Sequence, residues 1–585
     1  MKPLIFMFFT LGQFLMGNEI SQGPFIRINQ LGYLLDEHKK AIVFSHERVS
    51  EVFRLIDDKN EVAATIRPIK SKQEGWGTFK YYYELDFSQV NIEGTYFIQG
   101  KKSKSRSNIF KIGNDVYKQK PEVLLGFMRQ QRCGYNPYFD MVCHHRDGRS
   151  AYGPIPDGTF VDASGGWHDA GDQLKYLITG SYATAHMLMA YELYPAAFGD
   201  QVNALGQPLP NGIADVLDEA KWGLDWILKL HPESNQLIHQ IADDRDHIGW
   251  KMQDEDSSDY GWGKNSYRVA YFATGEPQGL NKYKSEANGV SNLAGRSAAA
   301  LALAARIWSR DVKDSVFAQN CLAAAKSLYN LGKEKEGFQQ GNSFGAPYRY
   351  SEKTWADDME WGAAELYKST GNSSYLSEAK EYALRANTVS WMPKDSVGHF
   401  ALYDQVDDNF QKTLAAYYIS GLEDNLKRAS KNAYNIGVPF IWCSNNLLTS
   451  LITQGILYEN MTGDKSYHQF LVEQRDWLFG RNPWGTSMFT KMPETGEYPI
   501  DVHTSTWALT KREVAGGLVD GPVYASIFNS LKGLRMDNPD EFEAFQNKFV
   551  VYHDDIGDYS TNEPTMDGTA GSIIMMAHWA NQDKN

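Results

Sequence analysis

The apolar pattern of this chain changes period once, between residues 112 and 115, and that switch limits its fold more than any other feature. Over residues 24–112 the segments FIRINQLGY, KKAIVFS, EVFRLID, TFKYYYELDF and GTYFIQG alternate in character and are separated by polar or glycine-bearing turns. A period of two in Val, Ile, Phe and Tyr belongs to strands, and their close spacing predicts a small β-sandwich. From residue 115 apolar residues recur at three- and four-residue spacing, as in LKYLITGSYATAHMLMAYELY, GIADVLDEAKWGLDWILKL and LAGRSAAALALAARIW. That spacing predicts roughly twelve amphipathic or buried helices across residues 115–582. At 585 residues the chain exceeds one ordinary domain, although a large helical barrel could take most of it. Long connections at 133–170, 233–290 and 480–520 exceed the usual loop length, and loops of that size commonly carry function.

Charge narrows the partners. Lys and Arg number 58 against 72 Asp and Glu, a formal net charge of −14, which argues against a nucleic-acid partner. Lys2 precedes an apolar run from Pro3 to Met16, then Gly17 and a polar stretch. A positive start and a short apolar stretch fit a secretory signal peptide over 1–17, and the run is too short to span a bilayer. The chain is therefore expected to be exported, with no stable membrane insertion.

Two acidic motifs carry chemistry. GGWHDAGD at 165–172 presents Asp169 and Asp172, and DDIGDYSTNEP at 554–564 presents Glu563. Carboxyl groups facing each other across a cleft are what glycosidic bond cleavage requires: one protonates the leaving oxygen, the other activates water or attacks carbon. Plainer roles compete. Asp172 precedes a helix expected near Leu174 and could be its N-cap; Glu563 could be a helix-start acid, with Pro564 as first helical residue. A helix N-terminus would lower the Glu563 pKa, so burial or the nearby Asp555 or Asp558 would have to raise it again.

These strings, with FGRNPWGTS at 479–487 and WADDMEWGAAELY at 355–367, resemble glycoside hydrolase family 9. The opening IRINQLGYLLDEHKKAIV resembles the immunoglobulin-like domain that often precedes such enzymes. The resemblance implies a mostly α protein: an (α/α)6 barrel behind an immunoglobulin-like β-sandwich, hydrolysing a β-1,4-glucan or related polysaccharide with inversion. It matches Asp172 to the general base, Asp169 to its helper in holding the water, and Glu563 to the general acid. Sugar contacts are implied at Trp442, Trp484, Tyr559 and His503. DVHTSTWALTKRE departs from the family there, lacking paired histidines and a close arginine, with Arg512 a distant substitute. That departure admits a decorated glucan such as xyloglucan, or amino-sugar oligosaccharides, beside cellulose; endo or exo action depends on loops at the cleft ends.

Metals are the remaining expectation. Cys133, Cys143, His144 and His168 comprise two Cys and two His, a set able to hold tetrahedral zinc. A Cys133–Cys143 disulfide is the competing reading in an exported protein, and His145 ranks below His144. The resemblance favours a structural zinc, and it implies calcium at Asp357 and Asp358, where an acidic first helical turn is the alternative. QDEDSSDYG at 253–261 reads as a solvated loop, Cys321 and Cys443 as buried thiols, and no organic cofactor is expected. A silent glycan-binding protein on the same scaffold would be free to lose Asp169, Asp172 and Glu563. A lyase for anionic glycans would want a basic groove, which these motifs lack.

Overall fold

The computed structural model describes residues 23–73, 77–387 and 397–581. The expected leader at 1–17 lies outside them. No helix among the described residues is long and apolar enough to cross a membrane.

The first segment forms two four-stranded antiparallel sheets. One has the order Phe25–Arg27, Lys40–Ser45, Tyr81–Asp86, Ile69–Lys70; the other runs Val62–Ile66, Phe53–Asp57, Gly94–Gly100, Phe110–Ile112. Ala41, Val43, Tyr83, Leu85, Leu55 and Ile98 fill the space between them. The alternate residues Ile42, Phe44 and Tyr82 belong to the core of the helical domain instead. Successive strand side chains point to opposite faces, so this strand pair is buried on both, which explains why Ala41 to Phe44 form an unbroken apolar run.

The sandwich is also held by polar contacts with the helical domain. Asn29 Nδ2 donates to Asp476 Oδ1 at 2.8 Å and to the Tyr117 hydroxyl at 2.9 Å. Gln30 donates through its amide to the Phe479 carbonyl at 2.8 Å and through Nε2 to the Gly485 carbonyl at 2.7 Å. The buried Arg475 guanidinium grips Glu37 with bonds of 2.9 and 3.0 Å. A two-pronged charge-assisted pair fixes orientation as well as distance. The motif FGRNPWGTS thus forms part of the seat on which the sandwich sits.

Twelve helices among the described residues form two concentric rings, an (α/α)6 barrel. The inner ring comprises Leu177–Leu193, Ser291–Ile307, Ala356–Thr370, Val397–Tyr403, Ser444–Thr462 and Met566–Ala580; each packs on the next, and the last closes onto the first. Lys120–Gln130, Asp215–Leu230, Ser315–Glu334, Ser373–Ala386, Asp408–Ala429 and His468–Leu478 pack outside. Inner helices such as Ser291–Ile307 are buried nearly all round, whereas Asp408–Ala429 buries one stripe, as a helix between two layers and a surface helix should. The loops at 133–170, 233–290 and 480–520 all enter inner helices, so they gather at one end of the barrel. Two expected helix starts move: short strands Lys175–Tyr176 and Pro564–Thr565 come first, and the helices begin at Leu177 and Met566.

Inner helices approach closely at glycines. A Cβ on Gly295 would lie 2.6 Å from the Asp358 backbone carbon, and one on Gly362 would lie 2.8 Å from the Gly295 oxygen. Gly126, on the outer helix Lys120–Gln130, has nothing within 4 Å of that position. Gly295→Ala should therefore destabilise by about 1–3 kcal/mol through overpacking. Gly126→Ala should stabilise by about 0.5–1 kcal/mol. Thermal midpoints of the two variants should move in opposite directions.

Candidate active site

The loop carrying GGWHDAGD lies directly beneath the chain carrying Glu563. The Gly171 amide donates to Glu563 Oε1 at 2.9 Å across 392 residues of sequence, and the Met566 amide donates to the Asp169 carbonyl at 2.9 Å. A Cβ on Gly171 would meet the His503 carbonyl oxygen at 2.2 Å and Glu563 Oε1 at 2.8 Å. The glycine between Asp169 and Asp172 is what permits this approach.

Each carboxylate has its own support. Asp169 is buried; Oδ1 accepts from the Thr179 hydroxyl at 2.7 Å and Oδ2 from the Tyr350 hydroxyl at 2.6 Å. Asp172 is more open. Its Oδ1 accepts the Leu174 amide at 2.9 Å, and Oδ2 lies 3.4 Å from His247 Nε2. This corrects the helix-cap expectation: Asp172 closes a turn before a strand, three residues short of the strand that leads into Leu177–Leu193. The strand pairs with Ile238–Ile241 and ties the loop to a four-stranded sheet.

Electrostatics separate the carboxyl groups. Burial, then the carboxylates of Asp520 and Asp172, holds Glu563 well above the usual range against the pull of the Gly171 N–H. Burial, with Asp172 and Asp567 nearby, pushes Asp169 up to about 8. Asp555 and Asp558 do not supply the effect expected of them. Asp555 accepts backbone amides of Asp537, Asn538 and Gly557, and Asp558 is bound by His553, Ser560 and Thr561. Asp520 was missed because nothing in its local sequence marks it. It is buried, accepts Trp442 Nε1 at 3.0 Å and faces Cys443 Sγ at 3.2 Å.

Aromatic rings form a row from Trp442 to Trp250. Trp442 lies 5.8 Å from Tyr559, Tyr559 lies 5.9 Å from His503, and His503 lies 4.6 Å from Trp250. Trp250 is 40% exposed and Tyr348, beside His247, is 43% exposed; neither lay in a motif that sequence reasoning could single out. Trp484 is corrected: it is buried against Trp477 and Tyr552, with its indole donating to Gln546 Oε1 at 3.2 Å. His503 Nδ1 meets the Ile556 carbonyl at 2.6 Å, and Arg512 is spent on Tyr138, donating to its carbonyl and lying over its ring.

The expected metal-binding set converges. Cys133 Sγ lies 3.7 Å from His144 Nδ1, Cys143 Sγ lies 3.9 Å from His168 Nε2, and the two nitrogens are 3.3 Å apart. Tetrahedral bonds of about 2.3 Å to sulfur and 2.1 Å to nitrogen set S···N edges of about 3.6 Å and an N···N edge of about 3.4 Å. The set therefore fits a tetrahedral metal ion. Both cysteines are free thiols, without the alternative disulfide, and His145 is exposed outside the group. Asp256 in QDEDSSDYG is buried rather than solvated; it lies 3.4 Å from His144 Nε2 and 3.0 Å from Lys251 Nζ. The acidic pair expected to hold calcium has a different partner. Arg296 reaches the buried Asp358 Oδ1 at 2.7 Å and also pairs with Glu352, so a guanidinium stands where the cation was expected, and Asp357 precedes Asp358 in the same buried first turn.

Comparison with known proteins identifies the family. The profile described as glycosyl hydrolase family 9 matches residues 117–576, and that of the cellulase N-terminal ig-like domain matches residues 21–105. Endoglucanase C of Cellulomonas fimi is 25% identical, covering 96% of this chain, which spans about half (52%) of that protein. A xyloglucan-specific endo-β-1,4-glucanase of Bacteroides ovatus is 25% identical over 85% of each chain. The crystal structure of a zinc-binding triple mutant of a family 9 endoglucanase superposes with a TM-score of 0.76 at 24% identity, covering 94% of this chain and 99% of that one. The chain belongs to glycosyl hydrolase family 9, a family of inverting endo-β-1,4-glucanases, and is a glycoside hydrolase with an (α/α)6 barrel behind an immunoglobulin-like domain.

Proposed function

We propose that this site cleaves the backbone of a β-1,4-glucan, with Glu563 as general acid, Asp172 as general base and Asp169 holding the attacking water. The observation that carries the reading is the Gly171 amide on Glu563 Oε1, which sets the acid against the loop that bears the base. Water between Asp172 and the sugar attacks the anomeric carbon and yields its proton to Asp172. The bond from that carbon to the glycosidic oxygen breaks, and the oxygen takes the Glu563 proton. Attack opposite the leaving group inverts the anomeric centre. The acid must hold its proton while the base is ionised; burial and the Asp520 carboxylate supply the first condition at Glu563. Trp250, Trp442, Tyr348 and Tyr559 offer ring faces to sugars along the cleft. The likeness to the Bacteroides ovatus enzyme over 85% of each chain supports a decorated glucan such as xyloglucan. The apolar run at 3–16 supports export.

Zinc fits the Cys133, Cys143, His144 and His168 set best, being suited to two thiolates and two imidazoles in a tetrahedron. Four protein ligands leave no position for water, so the ion would brace the loop carrying Asp169 and Asp172 through the adjacent His168.

Xyloglucan, barley β-glucan, carboxymethyl cellulose, cello-oligosaccharides and chitosan oligomers form the test panel, with NMR following the released anomer. A β-1,4-glucan should give the α-anomer first, and Glu563→Gln and Asp172→Asn should each lower kcat by about 10²–10⁴-fold. Wild-type rates in either variant would overturn the assignment. Hydrolysis should fall as pH rises through the elevated Glu563 pKa. Asp520→Asn removes a like charge, lowers that pKa and should move the alkaline limb of kcat to lower pH. Gly171→Ala should cost about 10²-fold in kcat by displacing Glu563 from its partner loop. Cys143→Ser should remove one equivalent of bound zinc and lower the thermal midpoint; an unchanged midpoint would sink the bracing role.

A further inference from the structure

A second group of metal-type donors lies at the other end of the barrel. Glu459 stands near the C-terminus of Ser444–Thr462, His578 near that of Met566–Ala580, and His468 opens the outer helix His468–Leu478. Catalytic loops precede the N-termini of those inner helices. At 1.5 Å per residue this group therefore sits about 20 Å from them. One donor atom from each residue lies within 4.8 Å of the others. His468 Nδ1 is 3.2 and 3.3 Å from the two Glu459 oxygens.

We propose that Glu459, His468 and His578 form a second divalent-metal site, taking a borderline transition ion such as zinc, which ties the outer helix to the ends of two inner helices.

Three features support it. Two imidazoles and one carboxylate suit first-row transition ions and leave positions for water. His578 Nδ1 lies 2.9 Å from the Tyr194 hydroxyl, which accepts Asn460 Nδ2 at 2.9 Å. A metal on Nε2 selects the tautomer whose Nδ1–H donates to Tyr194, the outer partner that metal-bound histidines ordinarily have. Two cations, Lys465 and Arg475, stand near His578. The Arg475 charge is matched by Glu37 and Asp476, and Lys465 is exposed on the turn before the helix. Glu459 and His578 are each 7% exposed, whereas the His468 side chain is 33% exposed. Metal–ligand bonds of about 2.1 Å place neighbouring donors about 3 Å apart, so an ion would draw the accessible His468 inward.

The test counts metal on the full chain, stripped with chelator and then dialysed against zinc alone. Wild type should carry one more equivalent than either His468→Ala or Glu459→Gln, whatever the cysteine cluster holds. Zinc should raise the thermal midpoint of wild type more than that of either variant, while hydrolysis rates stay unchanged and show that both variants are folded. Equal zinc in wild type and both variants would overturn the site. An equal zinc-dependent midpoint rise in all three would overturn the tie between helices.

Discussion

Closure of the inner ring, Met566–Ala580 onto Leu177–Leu193, is the contact on which the rest depends. The two helices meet so closely that a Cβ on Gly571 would lie 2.6 Å from the Tyr182 hydroxyl. Each of these helices is entered through a loop that ends in an acidic motif. Packing their buried faces therefore brings Glu563 to Gly171, and the Met566 amide to the Asp169 carbonyl. Hydrophobic burial along the helices thus delivers a polar geometry at their N-terminal ends.

That geometry crowds negative charge. Asp169, Asp172, Asp520, Asp567 and Glu563 face one another, while the barrel's buried arginines are occupied elsewhere: Arg296 by Asp358 and Glu352, Arg268 by Asp147, Arg475 by Glu37. Like charges in a poorly solvated site cannot all ionise. Protons are therefore retained on some of them, which is the condition a general acid needs. Support for Asp169 and Glu563 comes from neutral groups, Thr179 and Tyr350 hydroxyls and the Gly171 amide, which orient these two carboxyl groups without neutralising them.

The periphery serves the same end. The sandwich buries a second strand face on the barrel and grips Arg475 and Asp476, beside the loop that leads toward His503. The cysteine–histidine cluster bonds its strand segments together, with the Cys133 amide on the Gly166 carbonyl and the His168 amide on the Gln131 carbonyl. His168 is the residue before Asp169, so rigidity there passes directly to the carboxylates.

Local pattern determined much of this protein. The period switch separated a β segment from a helical one, three- and four-residue spacing marked the helices, and short motifs singled out Asp169, Asp172 and Glu563, because those signals are carried by neighbouring residues; the closed barrel and the zinc reading of Cys133, Cys143, His144 and His168 came from the family resemblance. Helix starts at Leu174 and Pro564 were misplaced because the pairing strands Lys175–Tyr176 and Pro564–Thr565 find their partners far along the chain. Trp484 read as a sugar platform, but the tertiary structure spends it on the seat of the sandwich. Asp358 read as a calcium ligand until Arg296, on another helix, took it. Asp520, Trp250 and Tyr348 carried no local mark. Their roles arise from desolvation and from neighbours distant in sequence, and only the folded chain decides those.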